Sequence, residues 1–162
     1  KTGDSLGGII SVIGIGVPPG VGEPQYGRLD SDLASAFMGI NAVKGVEIGA
    51  GFRAATMKGS QHNDAFDMVD GSVVPRTNNA GGILGGISTG APIVVTFAVK
   101  PTSSILGEQD TVTTLGEKTT VSVEGRHDPC VAMRAVPVGE AMMAVVLADH
   151  WLRGLGSRSD SV

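Results

Sequence analysis

The sequence predicts an α+β fold with antiparallel sheet and at least one deeply buried helix. Three stretches carry that expectation. In "APIVVTFAVKP", Ile93, Val95, Phe97 and Val99 share one face of a strand, and Val94, Thr96, Ala98 and Lys100 share the other. In "LDSDLASAFMGI", Leu29, Leu33, Phe37 and Ile40 fall four, four and three apart, which is one face of a helix. "VGEAMMAVVLADHWL" is apolar almost all round, which predicts a helix covered on more than one side.

The elements follow in order. "GGIISVIGIGVPPGVGEP" predicts a strand from Gly8 to Val17, ended by Pro18-Pro19 and a Gly/Pro loop. The first helix comes next, with Asp30 or Ser31 as its N-cap and Asp32 in its first turn. "VKGVEIGAGF" returns to alternation, with Val46 and Ile48 on one face. From Arg53 to Asn79 no period survives, which predicts a long loop, functional or mobile until a ligand orders it. After the strand at Ile93–Val99, "LGEQDTVTTLGEKT" reads as a polar connection, mobile in the same way. "TTVSVEG" reads as a strand with Val121 and Val123 inward. The last helix is expected to begin near Pro137, a good first-turn residue, with Gly139 weakening its start slightly. Residues 153–162, "RGLGSRSDSV", read as a flexible tail.

Composition narrows the function. The chain has 162 residues, 41% hydrophobic and 17% charged, which suits one globular domain with a real core. Its 25 glycines are roughly twice the usual share. Such an excess means tight turns or close approaches of backbone to ligand. The net charge is −4, no basic run appears, and the lone Trp and Tyr are not interleaved with Arg or Lys. Nucleic-acid binding is therefore disfavoured, although a few cations converging in a cleft would still accept an anionic substrate. One cysteine, Cys130, leaves no internal disulfide and suits a reducing cytosol. The strongly apolar run Ala141–Ala148 is short for a membrane span of ~20 residues.

Three stretches are candidates for chemistry, and each has a plain structural reading beside it. "GRHDPC" places Arg126, His127, Asp128 and Cys130 together. Pro129 keeps Asp128 out of helix, so Arg126 and Asp128 are expected on one side and His127 on the other. They are either a guanidinium and a carboxylate lining a site or a structural ion pair. "VKPTSSI" ends the clearest strand with Lys100, Pro101, Thr102, Ser103 and Ser104. One point charge and several hydroxyl donors suit a phosphate, but they also suit an ordinary polar turn. "TNNAGGILGGISTG" lets backbone face a flat or anionic ligand, or simply turns. His62 lies in the long loop with Asn63 and Asp64, His150 reads as a helix-end residue rather than a ligand, and the His and Cys spacing fits no metal site. A Cys130–His127 dyad is not expected across the intervening proline.

Taken together and in this order, "VKGVEIGAGF", "HNDAF", "NNAGGILGGISTGAPI", "KPTSSI" and "GRHDPCVAMRAVPVGEAM…LADH" resemble the C-terminal half of chorismate synthase. "DSLGGIISV" and "GVPPGVGEP" extend the resemblance over almost the whole chain. It implies a layered β-α-β sandwich, with helices between antiparallel sheets, and residues 1–152 as the C-terminal portion of that domain. It implies a cytoplasmic homotetrameric lyase of the shikimate pathway. Such an enzyme turns 5-enolpyruvylshikimate 3-phosphate into chorismate and phosphate by anti-1,4-elimination with reduced FMN, in some members reduced by NADPH. Asn41 and Ala42 match an FMN-contacting pair, and Gly85 matches a flavin contact. Lys100, Pro101, Thr102, Ser103 and Ser104 match the segment around the cofactor. Arg126 matches an arginine at the flavin and substrate site, and Asp128 the aspartate that assists proton removal through flavin N5. The family's N-terminal Gly-x-Ser-His-Gly motif, second active-site histidine and substrate-gripping arginines are absent, so this chain is expected to be an inactive portion when alone. The other reading is a non-catalytic FMN- or phosphate-binding or structural module.

Overall fold

The stretch with the cleanest alternation is the middle strand of the main sheet. The computed structural model describes residues 3–156. In chain order they form β1 (Gly8–Gly14), α1 (Leu29–Met38), β2 (Val43–Ile48), a 3-10 turn (Gly51–Thr56) and α2 (Gly59–His62). Then come β3 (Phe66–Val69), β4 (Ser72–Pro75), β5 (Ile83–Leu84), β6 (Ile87–Ser88), β7 (Ile93–Val99), β8 (Gln109–Val112), β9 (Lys118–Val121) and α3 (Ala132–Gly156). The sheet order is β1-β7-β2, antiparallel throughout, and the other strands pair as three separate hairpins. The fold is α+β.

The core lies between this sheet and two helices. Ile93, Val95, Phe97 and Val99 are buried while their neighbours on β7 are half-buried, as alternation requires. Ile10 and Val12 join them from β1, Leu29, Leu33 and Phe37 from α1, and Ala132, Ala135 and Met143 from α3. Phe37 meets Phe97 edge to face, with ring centres 5.2 Å apart. Farther along α3, buried His150 places Nε2 3.0 Å from Asp32 Oδ2 and so ties α3 to α1.

Several boundaries differ from the sequence expectation. The first strand ends at Gly14. α1 begins at Leu29, because the Leu29 amide donates to the Gly86 carbonyl; Asp30 and Asp32 then lie inside the first turn, and neither Asp30 nor Ser31 is the cap. The stretch from Arg53 to Asn79 holds the 3-10 turn, α2 and the β3–β4 hairpin, and the expected polar connection forms β8 and most of a hairpin turn. Val121 and Val123 do not point inward: β9 is exposed throughout, Val123 is only half-buried, and this two-stranded ribbon stands away from the sheet.

The last helix differs most. It starts at Ala132, so Pro137 lies inside it, and it runs through Gly156, four residues into the expected tail. The rest of that tail, residues 157–162, lies outside the described residues. By length and composition this one helix passes the test for a membrane span, which the shorter run Ala141–Ala148 did not suggest, although helices of soluble cores pass it too. One face packs on β1 and α1, whereas Met133, Val145 and Leu152 are exposed on the other. The all-round apolar pattern therefore meets cover on one side only, since no second sheet lies over it among the described residues.

Gly139 is a packing device rather than a weak start. A Cβ there would lie 3.0 Å from the Phe97 ring and 3.0 Å from Val12 Cγ2. Gly139→Ala should therefore destabilise the fold by about 1–3 kcal/mol through overpacking, despite a helix-propensity gain of about 1 kcal/mol. Urea unfolding checks it, and a variant more stable than the parent would contradict it. The two larger hairpins bury little, so amides of β3–β4 and β8–β9 should exchange far faster than those of β7. Comparable protection across all three would refute that expectation.

Candidate functional site

Register decides which candidates meet. β1 and β2 both run antiparallel to β7, with Gly8 and Val43 opposite Val99. The residues just before β1, just before β2 and just after β7 therefore share one end of the sheet. They are Asp4–Ser5, Asn41–Ala42 and the run Lys100–Ser104. α3 begins at the same end, where Ala132 sits against Gly8, and this brings in the "GRHDP" turn.

Hydrogen bonds join these segments. The Lys100 amide donates to the Ala42 carbonyl at 2.8 Å, and Ala42 holds a positive φ of 69°. Pro101 lacks the N–H that would extend the ladder, so the chain leaves the sheet there. The Ser5 hydroxyl donates to the Thr102 carbonyl at 2.6 Å, and the Leu6 amide donates to the Pro129 carbonyl at 2.7 Å. Between them lies a cleft of about 280 Å³ lined by Asp4, Ser5, Ser104, His127 and Asp128, among others.

The "GRHDP" turn is arranged differently from the expectation. Asp128 pairs with Arg134 in the first turn of α3, with Nη1 3.1 Å from Oδ2, and not with Arg126. Arg126 is exposed, lines no part of the cleft and makes no hydrogen bond or ion pair among the described residues. His127 and Asp128 line the same cleft, where strict alternation would have put them on opposite sides. Gly125, just before them, holds a positive φ of 140°. His127 Nε2 is buried without a partner among the described residues. Such an orphaned nitrogen costs free energy unless a ligand or water meets it.

Gly85 is not part of this cluster within the chain. It occupies the exposed β5–β6 turn, before β7, whereas Lys100 follows β7. A seven-residue strand, about 20 Å long, separates those ends.

Two contributors escaped sequence reasoning. Asp4–Ser5 entered only within the motif "DSLGGIISV", although the paired glycines after it were a usable signal of close approach. Asp64, read merely as a loop neighbour of His62, organises the segment before the glycine turn. Its Oδ1 accepts from the Thr77 hydroxyl and from the amide and side chain of Asn79, and its Oδ2 accepts from the Ala80 amide. Partial burial pushes its carboxyl up, but the Ala80, Thr77 and Asn79 donors together hold it below the ordinary value of 3.8.

The comparisons with known proteins bear on this same arrangement. The family model described as chorismate synthase matches residues 1–152. The chain belongs to the chorismate synthase family. It is 62% identical over 153 residues to the chorismate synthase of Gluconacetobacter diazotrophicus, covering 94% of this chain and 43% of that protein. It is 56% identical over 163 residues to that of Xanthobacter autotrophicus, covering 100% of this chain and 44% of that one. A crystal structure of chorismate synthase superposes with a TM-score of 0.76 at 39% identity, covering 95% of this chain and 39% of the other. The chain thus spans less than half the length of these relatives.

A depressed Asp64 pKa means this carboxylate stabilises the segment above the ordinary carboxylate range, and the contribution is lost as pH falls through its folded value. Amides of Asn79 and Ala80 should be protected at neutral pH and lose protection in that acid window. Asp64→Ala should lose it at every pH. Protection unchanged by the substitution would remove Asp64 from this role.

Proposed function

We propose that this chain is the flavin- and substrate-facing portion of a cytoplasmic chorismate synthase, a homotetrameric lyase. The whole enzyme converts 5-enolpyruvylshikimate 3-phosphate to chorismate and phosphate. The observation that carries the reading is the single cleft shared by Ser104 of "KPTSS" and Asp128 of "GRHDP".

The residues at this end of the sheet fit a flavin phosphate and an anionic substrate. Lys100 offers a point charge, Thr102, Ser103 and Ser104 offer hydroxyl donors, and Arg126 is an uncommitted guanidinium fork. The orphaned His127 Nε2 also suits a ligand that brings a polar atom into the cleft. Asn41, Ala42, Lys100, Pro101, Thr102, Ser103, Ser104 and Arg126 would hold FMN, with Gly85 reaching a flavin only from the other end of the sheet. Reduced FMN, when bound, supplies the electron density that assists phosphate loss. The chain's own work is orientation and proton handling. Arg134 occupies Oδ2 of Asp128, while Oδ1 has no partner among the described residues and would be the atom that accepts a proton.

The exposed apolar face of α3 supports a longer parent, because the family's sandwich would cover it. The length shared with relatives leaves room for a second reading, a non-catalytic FMN- or phosphate-binding module. Chorismate formation separates them. This chain alone should show no turnover, whereas the full-length enzyme should.

In the full-length enzyme, Asp128→Asn should lower kcat by roughly 10²–10⁴ with KM largely kept. Arg126→Ala should instead raise KM or weaken FMN binding. Near-normal kcat in folded Asp128→Asn would remove it from the mechanism.

A further inference from the structure

The segment before β1 makes more connections at the candidate site than its sequence suggests. Ser5 donates to the Thr102 carbonyl, Leu6 donates to the Pro129 carbonyl, and the Gly3 carbonyl accepts from Leu106 at 3.1 Å. One short strap thus touches both the "KPTSS" run and the "HDP" turn. Two glycines let it come that close. A Cβ on Gly7 would lie 2.7 Å from the Val99 carbonyl oxygen and 3.2 Å from Pro101 Cδ. A Cβ on Gly8 would collide with the Ala132 methyl at the start of α3.

Among these links only one is made by a side chain oxygen. The Asp4 carboxylate accepts the Ser5 amide at 2.7 Å, which sets the local turn, and the Ser5 hydroxyl reaches across 97 positions of sequence to Thr102. Pro101 has already removed the ladder that would otherwise hold this stretch. Within it, the other side-chain contacts are long ones: the Ser104 amide to Thr102 Oγ1 at 3.5 Å, Lys100 Nζ to the Pro101 carbonyl at 3.5 Å, and Gln109 Nε2 to the Ser103 carbonyl at 3.3 Å. The short Ser5 bond is what fixes the Thr102 peptide plane, and with it the direction in which Ser103 and Ser104 leave.

We propose that Ser5 is a positioning residue: through the Thr102 carbonyl it presents the Lys100–Ser104 donors to the phosphate of a bound flavin. The ligand half of this inference rests on the flavin reading above; the strap itself does not.

The test uses the intact natural protein that carries these residues, as Ser5→Ala, Ser5→Thr and Ser5→Val. Threonine keeps the hydroxyl, and valine has threonine's shape without it. Without ligand, amides of Ser103, Ser104 and Leu106 should exchange about five- to tenfold faster in the Ala and Val variants, the shift one neutral hydrogen bond gives. Amides of β7 should not change. With FMN as the probe, affinity by fluorescence quenching should fall about tenfold in both, with kcat at saturating FMN within roughly twofold of the parent. Ser5→Thr should match the parent in both readouts. Equal behaviour of the Thr and Val variants, or unchanged exchange in Ser5→Ala, overturns the proposal. Unchanged FMN affinity in a Ser5→Ala protein whose exchange has risen overturns its ligand half. A parent protein that binds no FMN sinks the flavin reading separately, and the exchange data still decide whether Ser5 fixes the segment.

Discussion

Everything in this chain is arranged around β7. Among the described residues it is the one strand paired on both edges, and its buried face supplies Ile93, Val95, Phe97 and Val99 to the core. That constraint fixes more than stability. Because both partners are antiparallel to it, the lead-ins to β1 and β2 arrive where β7 ends. The proline after Lys100 then turns the chain away from the sheet toward those lead-ins. A hydrophobic strand thereby determines which polar segments meet, although none of its buried residues touches the cleft.

The parts legible in the sequence are those where burial imposes a period. β7 and α1 were readable because each presents one face to a single core, so Val95 and Leu33 sit where spacing puts them. α3 was legible as a helix but not in its limits. Pro137 suggested a start, yet packing of Ala132 and Ala135 on β1 holds the turn before it in helix, and tertiary contact overrides a local preference. The β3–β4 hairpin and β8 left no such trace, and β9 was legible only as a strand in "TTVSVEG" whose valines were expected inward. With little of either face buried, nothing forces an alternation, and their pairing rests on backbone bonds that any residue makes.

The site was legible in its residues and not in its geometry. Ser104 and Asp128 line one cleft, whereas Lys100 to Ser103 lie at the same end of the sheet without lining it. The partner of Asp128 was not predictable from neighbours in sequence, because Arg134 reaches it from the first turn of a helix whose start the sequence misplaced. Asp64 and Ser5 were invisible for a related reason. Each acts by accepting from or donating to backbone groups far along the chain, and a carbonyl has no residue identity to search for.

The two ends of the sheet are built with opposite economies of bonding. At the end where β7 begins, buried Ser88 makes four short bonds to the Pro18–Val21 loop, two through its hydroxyl and two through its backbone. Nearby, buried His150 locks α3 to Asp32 on α1. Those polar groups satisfy one another, around a small cavity of about 120 Å³ lined in part by Val21 and His150. At the other end the links run between irregular segments, and among the described residues Arg126 is uncommitted and the His127 nitrogen is buried without a partner. A fold gains nothing from such a nitrogen on its own, since burying a polar atom unsatisfied costs more than exposing it. Binding and catalytic groups are drawn from the less stable parts of a fold because they must exchange partners when a ligand arrives. The asymmetry therefore argues that the Lys100 end is the working end and the Ser88–His150 end is the anchor that holds it in shape.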